Sequence, residues 1–472
     1  MKIAWFTPFT RHSAIGRFSR TVTAELARHA AVDIWTPHKP QATNGFQGDL
    51  HATELQVFPI ASLRNQPERL ASYDHVVYNL GDNWANHGEI FETLEGTPGL
   101  SRNRLTTVVV LHDYVMHHFF EARYLEHRQD PESYLQKVQT LYGPAARQEV
   151  AEGLAAGCPL DDSPRAVNYP FFEPCLTHAT AAVTLSGFLA GMVQAQALCP
   201  VAKLFLPYNF YDQPVPGEAD KTALGVPRDK LLLLSVGQVN PNKRIEAVLE
   251  VLGQDAELAA RVQYVVIGRF THPAYREKLD QLVRQYRLAN VVRLLGQQSD
   301  EVLYQYLSSA DLCINLRNPA MEGASASLVE ALYFGRPLLV SDTGCYREVP
   351  DGCVLKVPLQ NEVPSLHKLL RDLIGDSARR QALGQAGRAH VLQHHSPSSF
   401  AREFLQFLEM LDSVQPQLDL MDRVSHELVA MQVRAGAELI QKISREIDAF
   451  WPHGLPRPQA TTGSAGLADG TT

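Results

Sequence analysis

LLLLSVGQVNPNKRIEAVLEVL, residues 231–252, sets the fold. Its opening run is almost entirely apolar, as expected of a strand covered on both faces. Gly237 and Pro241 interrupt it, and from Ile245 to Leu252 the apolar residues recur at helical spacing. The same unit repeats outward from there. Strands are read at VQYVVIG (262–268), VVRLLG (291–296), DLCINL (311–316), PLLVS (337–341) and CVLKV (353–357), with helical patterns between them at 274–286, 301–309 and 327–334. Gly335 and Pro337 stop the last of these helices. Short buried strands alternating with helices predict βα units and a parallel sheet.

The first half repeats the theme more loosely. KIAWFTP (2–8), a helix at 15–29, VDIWTP (32–37), HVVYNLG (75–81), TTVVVLHD (106–113) and AAVTLS (181–186) predict a second α/β domain, with long helical patterns across 114–180. A chain of 472 residues exceeds one ordinary core, so two large domains and a cleft between them follow. The reading places them at 1–207 and 208–395, joined through YNFYDQPVPGEADK (208–221), a Pro, Gly and acid-rich stretch of hinge composition. Helices are expected over 396–450, packing back across the domains, and 451–472 lacks apolar periodicity and is expected to be disordered.

Hydrophobic residues at 45% and charged residues at 20% describe an ordinary globular protein. A formal charge of -8 with no long Lys/Arg run excludes nucleic acid as a partner. The N-terminal apolar residues stop at Thr7, Pro8 and Arg11, too soon for a secretory signal, and no stretch reaches the roughly 18 apolar residues of a membrane span. A cytoplasmic protein is expected. Cys158, Cys175, Cys199, Cys313, Cys345 and Cys353 are scattered without a C-x-x-C pair and are read as reduced packing residues.

The chemistry concentrates in MEGASASLVEALYFGRPLLVSDTG (321–344). Glu322 falls in the loop after a strand and Glu330 on the next helix, so two carboxylates bracket one helix N-terminus. That terminus offers unpaired N–H groups and a positive dipole end, which suit a diphosphate. The small residues Gly323, Ala324, Ser325 and Ala326 let a ligand approach the backbone, and a carboxylate one turn on can accept hydrogen bonds from a ribose diol. The residues alone leave open a plainer reading, in which Ser327 and Glu330 form a capping box and Glu322 is a solvated loop residue.

The spacing Glu322-x7-Glu330, followed by an apolar helix and Gly335-x-Pro337, resembles the retaining glycosyltransferases of family 4. The resemblance covers most of residues 1 to about 410, strongest in 231–345. It implies a GT-B architecture of two Rossmann-like domains facing across a cleft, with extra C-terminal helices. By resemblance, Glu322 holds the hydroxyls of the transferring sugar and Glu330 the ribose. Lys243 stands at the position of a lysine that stabilises the departing diphosphate, its plainer reading being a solvated loop lysine. Gln238 replaces the family's arginine after the Gly, and Arg244 follows the lysine instead, as a candidate for the missing charge. Ala324 and Ser325 replace a bulky residue and a glycine.

In TPFTRHSAIGRFS (7–19), Gly16 corresponds to a phosphate-facing Gly loop, or to an ordinary turn; Arg17 lies beside it, beyond the carboxyl end of a strand. In VVVLHDYVMHHFF (108–120) the resemblance again extends through His112, Asp113, His117 and His118. His112 is the choice for a residue lining the reaction centre, its charge set by Asp113. YNLGDNWANHG (78–88) matches a family segment through Asn79, Gly81 and His87, without a role. No D-x-D, H-E-x-x-H, G-x-x-x-x-G-K-[ST] or G-x-G-x-x-G is present.

The resemblance therefore implies metal-independent transfer, with retention, from a nucleoside diphosphate sugar to a glycan or lipid-linked acceptor, with no cofactor. A sugar-nucleotide epimerase, a phosphorylase, or a non-catalytic subunit that binds nucleotide sugar remain alternatives. The helices beyond residue 410 exceed what catalysis needs and are open to use as an oligomer contact or a peripheral contact at the inner face of the membrane.

Overall fold

The computed structural model describes residues 1–10, 13–38, 55–96, 106–157, 164–196, 199–208, 220–431 and 439. The chain forms two compact units, Met1–Glu403 and Phe404–Thr472.

Two parallel sheets build the first unit. One contains β1 (Lys2–Phe6), β2 (Ala31–Thr36), β3 (Gln56–Pro59), β4 (His75–Leu80), β5 (Thr106–Leu111), β6 (Ala181–Thr184) and β7 (Val201–Lys203), in the order β3-β2-β1-β4-β5-β6-β7. The other contains β8 (Leu231–Val236), β9 (Val262–Ile267), β10 (Val292–Gly296), β11 (Leu312–Asn315), β12 (Leu338–Ser341) and β13 (Leu355–Val357), in the order β10-β9-β8-β11-β12-β13. Every residue of β4, β5 and β9 is buried, which is why these strands are apolar throughout instead of alternating.

The strand order reverses between β1 and β4 in the first sheet and between β8 and β11 in the second. At such a switch point the loops leave in opposite directions and open a crevice beyond the carboxyl ends of the strands. The residues after β1, β4, β5, β8 and β11 are therefore those to inspect for chemistry.

Two strands were not expected. β3 and β7 are edge strands of four and three residues, too short to show a pattern. The helical stretch after β5 is also broken more often than its periodicity suggests. Pro131–Tyr142, with Asp130 accepting from the Ser133 N–H, and Pro144–Ala155 are separated by Gly143 at φ 89°. The five described cysteines, Cys175, Cys199, Cys313, Cys345 and Cys353, are unpaired. Cys158, most of the expected linker (209–219), and the tail 451–472 lie outside the described residues. In place of separate helices, Pro397–Ala430 is one continuous helix with Pro416 inside it. No helix among the described residues is long and apolar enough to cross a membrane.

Candidate active site

β8 ends in Gly237, whose φ of 116° is accessible to glycine and strained for other residues. The next turn, Pro241–Lys243, brings Lys243 back over the strand end, with its Nζ only 3.1 Å from where a Cβ on Gly237 would lie. Ser235, Gly237, Lys243, Asn315 and Arg317 line one cavity, at the switch point between β8 and β11. Lys243 makes no ion pair with a described residue. Its neighbour differs: Arg244 Nε and Nη2 bind Glu362 at 2.9 and 2.6 Å, and Nη1 binds Glu246 at 2.9 Å. The expectation that Arg244 supplies the missing phosphate charge is thus corrected, since two carboxylates already neutralise it. Gln238 is exposed and does not line the cavity.

Glu322, in the loop after β11, is held from three sides. Arg317 Nε donates to its Oε1 at 2.6 Å, the Tyr346 hydroxyl donates to the same oxygen, and the Met321 N–H donates to Oε2 at 3.2 Å. Burial alone would raise the Glu322 pKa, but the Arg317 charge and the Tyr346 hydroxyl outweigh it and keep the carboxyl ionised. Glu322 is therefore a fixed anion rather than a solvated loop residue.

The helix Ala326–Tyr333 takes Ser325 as its N-cap, the hydroxyl accepting from Leu328 N at 3.3 Å. With Ser325 at the cap, the third helical position is Leu328, so Ser327 and Glu330 do not form a capping box. Ala324 and Ser325 instead line a second, largely apolar cavity with Lys203, Glu348, His390 and His395. Burial pushes the Glu330 carboxyl up to about 7, opposed by Arg17 and reinforced by Asp300. Arg17 itself reaches over from the helix Ala14–Leu26 to Asp300, 3.6 Å away.

On the first sheet, Asn79 at the end of β4 organises two histidines. Its Nδ2 donates to the Phe6 carbonyl at 2.9 Å, so its Oδ1 is left to accept from His112 Nε2 at 3.1 Å. Its carbonyl accepts from His87 Nδ1 at 2.9 Å. These bonds put the proton of His112 on Nε2 and leave the lone pair on Nδ1. Burial, with His87 beside it, lowers the His112 pKa to about 3, so the ring is neutral. Asp113 does not set that charge, contrary to expectation. Its own carboxylate accepts from Asp82 N at 3.0 Å, and burial and the Asp82 charge raise its pKa.

The two sheets meet at these residues. Tyr114 N and Val115 N donate to the Met321 carbonyl at 3.1 and 3.0 Å, Gly323 N donates to the His112 carbonyl at 3.1 Å, and Asp113 bridges Glu322 in antiparallel fashion. His112 and Glu322 are thereby set side by side by backbone alone. A Cβ on Gly323 would lie 2.6 Å from both the His112 carbonyl oxygen and Leu189 Cδ2. Its smallness thus admits the other lobe's backbone, not a ligand. Gly16 is similar: a Cβ there would meet Pro8 O at 2.4 Å and Thr10 O at 2.5 Å. Both glycines expected at the donor are needed by the chain itself.

His117 is a core residue, its Nδ1 3.1 Å from the Tyr134 hydroxyl and its ring against Phe171, while His118 is exposed. Arg317, Tyr346 and Asn315 were not anticipated. Arg317 had a signal, since it leaves the carboxyl end of β11, where ligands gather.

Residues 217–390 match the family model described as glycosyl transferases group 1. Among characterised relatives, the D-inositol 3-phosphate glycosyltransferase of Kineococcus radiotolerans is 30% identical over 186 residues, 36% of this chain and 42% of that protein. The human alpha-1,3/1,6-mannosyltransferase ALG2 is 26% identical over 215 residues, 43% of this chain and 50% of that protein. The chain thus spans half or less of the length of these relatives. HepE of Anabaena, solved in complex with UDP, superimposes with a TM-score of 0.58 at 15% identity, over 87% of this chain and all of that one. The chain has the GT-B fold, and its residues 217–390 are similar to the glycosyl transferases group 1.

Proposed function

We propose that this protein transfers a sugar from a nucleoside diphosphate sugar to a hydroxyl of a glycan or lipid-linked acceptor, with retention of configuration. The carrying observation is a cavity at the switch point of a parallel sheet, lined by an ammonium without a carboxylate partner among the described residues, Lys243, and by Arg317, whose guanidinium holds a fixed carboxylate, Glu322. Lys243 meets the charge that grows on the departing diphosphate. Glu322 accepts hydrogen bonds from sugar hydroxyls and Glu330 from the ribose diol. His112, neutral and bonded to Asn79, offers its Nδ1 lone pair toward a donor or acceptor hydroxyl. The UDP bound by HepE, which shares the fold, supports a nucleoside diphosphate as the ligand.

In the reaction the bond from the sugar's anomeric carbon to the phosphate oxygen breaks, and a bond to the acceptor oxygen forms on the same face. The acceptor proton passes to the departing phosphate oxygen, giving the glycoside and the nucleoside diphosphate. Side chains, not a metal ion, stabilise the leaving group in this proposal. The work takes place in the cytoplasm, with the acceptor presented at the inner face of the membrane.

The test is nucleoside diphosphate release from a panel of nucleotide sugars, with and without chelator, beside a Lys243→Ala control. Chelator-insensitive release that falls at least about a hundredfold in the variant is expected, the scale of removing one preorganised charge at a developing anion. Equal release by the variant sinks the assignment.

A further inference from the structure

A departing diphosphate carries more charge than one ammonium balances, yet neither Gln238 nor Arg244 is available to help Lys243. The cavity wall holds a second cation, on the facing loop. Arg317 is 2% exposed and lines the same cavity as Lys243. Its guanidinium is only partly used: Nε donates to Glu322 at 2.6 Å and Nη1 to the Leu316 carbonyl at 2.6 Å. Nη2 hydrogen-bonds no described residue and is not among the buried polar atoms left without a partner, so it is the accessible corner of a side chain that lines the cavity.

The fork is rigid. The Tyr346 ring lies 5.6 Å from the guanidinium carbon, and the Arg317 N–H donates to Ser341 Oγ at 2.9 Å. The loops of the two cations are tied together, Asn318 N donating to the Asn242 carbonyl at 2.9 Å. A preorganised guanidinium with an unused N–H edge on a cavity suits a bound phosphate, because its planar fork loses little freedom on binding.

We propose that Arg317 is the second diphosphate-binding cation of this site, one edge of its fork on Glu322 and the other on the donor's phosphates. This rests on the donor reading above. It makes one side chain common to the sugar grip and the phosphate grip, so that a diphosphate drawn toward Arg317 also fixes where Glu322 meets the sugar.

Calorimetric titration with UDP and GDP tests it. Arg317→Gln alone would leave Glu322 buried without its cation, and E322Q alone would leave Arg317 without its anion, so the informative comparison is the wild type against E322Q/R317Q, in which the two charges leave together. Neither probe carries a sugar, so the loss of the sugar contacts of Glu322 does not enter the comparison. E322Q/R317Q is expected to bind about tenfold more weakly or worse, the scale of one charged hydrogen bond. Equal affinities of the wild type and E322Q/R317Q at matching melting midpoints overturn the proposal. If K243A weakens binding while the Arg317 pair does not, only this inference falls. If the wild type binds neither probe, the donor reading falls with it.

Discussion

Glu330 shows how a single side chain can be held at the edge of its useful state. Burial favours the neutral carboxyl, Asp300 favours it further, and Arg17 from the other lobe opposes both, leaving the group at about 7. An ionised carboxylate accepts from both hydroxyls of a ribose diol, more strongly than a protonated carboxyl, which gives one acceptor oxygen over to a donor. Nucleoside diphosphate affinity is therefore expected to rise with pH between about 6 and 8, the span around that value in which the carboxyl ionises. His112, at about 3, and His87, at about 4, are already neutral there and do not contribute. Arg17→Gln should move the rise to higher pH and Asp300→Asn to lower pH, while E330Q should abolish it. Calorimetric titrations across pH read all three. The stability effect has the opposite sign. Because the folded carboxyl lies above its ordinary 4.5, the native state binds the extra proton between 4.5 and about 7. Stability falls as pH rises through that window. E330Q should flatten the slope of the denaturation midpoint there, and an unchanged slope would remove Glu330 as its source.

At the scale of an element, the loop after β8 depends on two glycines back to back. Gly268, after β9, has φ 154°, and a Cβ there would lie 1.8 Å from the Gly237 carbonyl oxygen. Gly268→Ala cannot be absorbed by a rotamer, because the obstacle is backbone. It is expected to destabilise by more than about 1 kcal/mol and to weaken diphosphate binding by displacing Lys243. Denaturation and titration would detect both effects, and a variant with wild-type values in each would mean that the loop is not what holds Lys243. The same loop shows what was legible in advance. β8, β9 and β11 were plain because strands buried on both faces are apolar at every position. The placement of Lys243 and Glu322 beyond strand ends was legible because their spacing from the strand is local. Partnership across space is not: nothing in residues 231–252 says that Arg244 is neutralised by Glu362, 118 positions away. Gly16 and Gly323 misled for the same reason, since a small residue records a close approach without recording what approaches. Arg317 was passed over because an arginine in a loop is ordinarily solvated, and only its burial beside Glu322 separates it from one.

At the scale of the whole first unit, two of the contacts that join the lobes differ in kind. Glu348 caps the helix Gly187–Ala195 from the other lobe, accepting from the N–H groups of Gly187, at 2.8 Å, and Phe188. Glu348 does not line the cavity of Lys243, so E348Q should cost about 1 kcal/mol of stability, the usual worth of a helix cap, with little change in diphosphate affinity. The backbone ladder between 112–115 and 321–323 is different, because its rungs are the residues of the site. Gly323→Ala places a methyl group against the His112 carbonyl and Leu189, and neither can yield without parting the two strands of the ladder. His112 would then leave Glu322 while Lys243, Arg317 and the fold of each sheet stayed intact. Turnover is accordingly expected to fall at least about tenfold in G323A, since reacting groups displaced by an ångström or so lose much of their advantage, while UDP affinity stays close to that of the wild type. Parallel measurement of turnover and UDP binding separates the two. A loss of both in equal measure would mean that the ladder builds the diphosphate site itself, and an unchanged turnover would mean that His112 and Glu322 need not adjoin for the transfer to proceed.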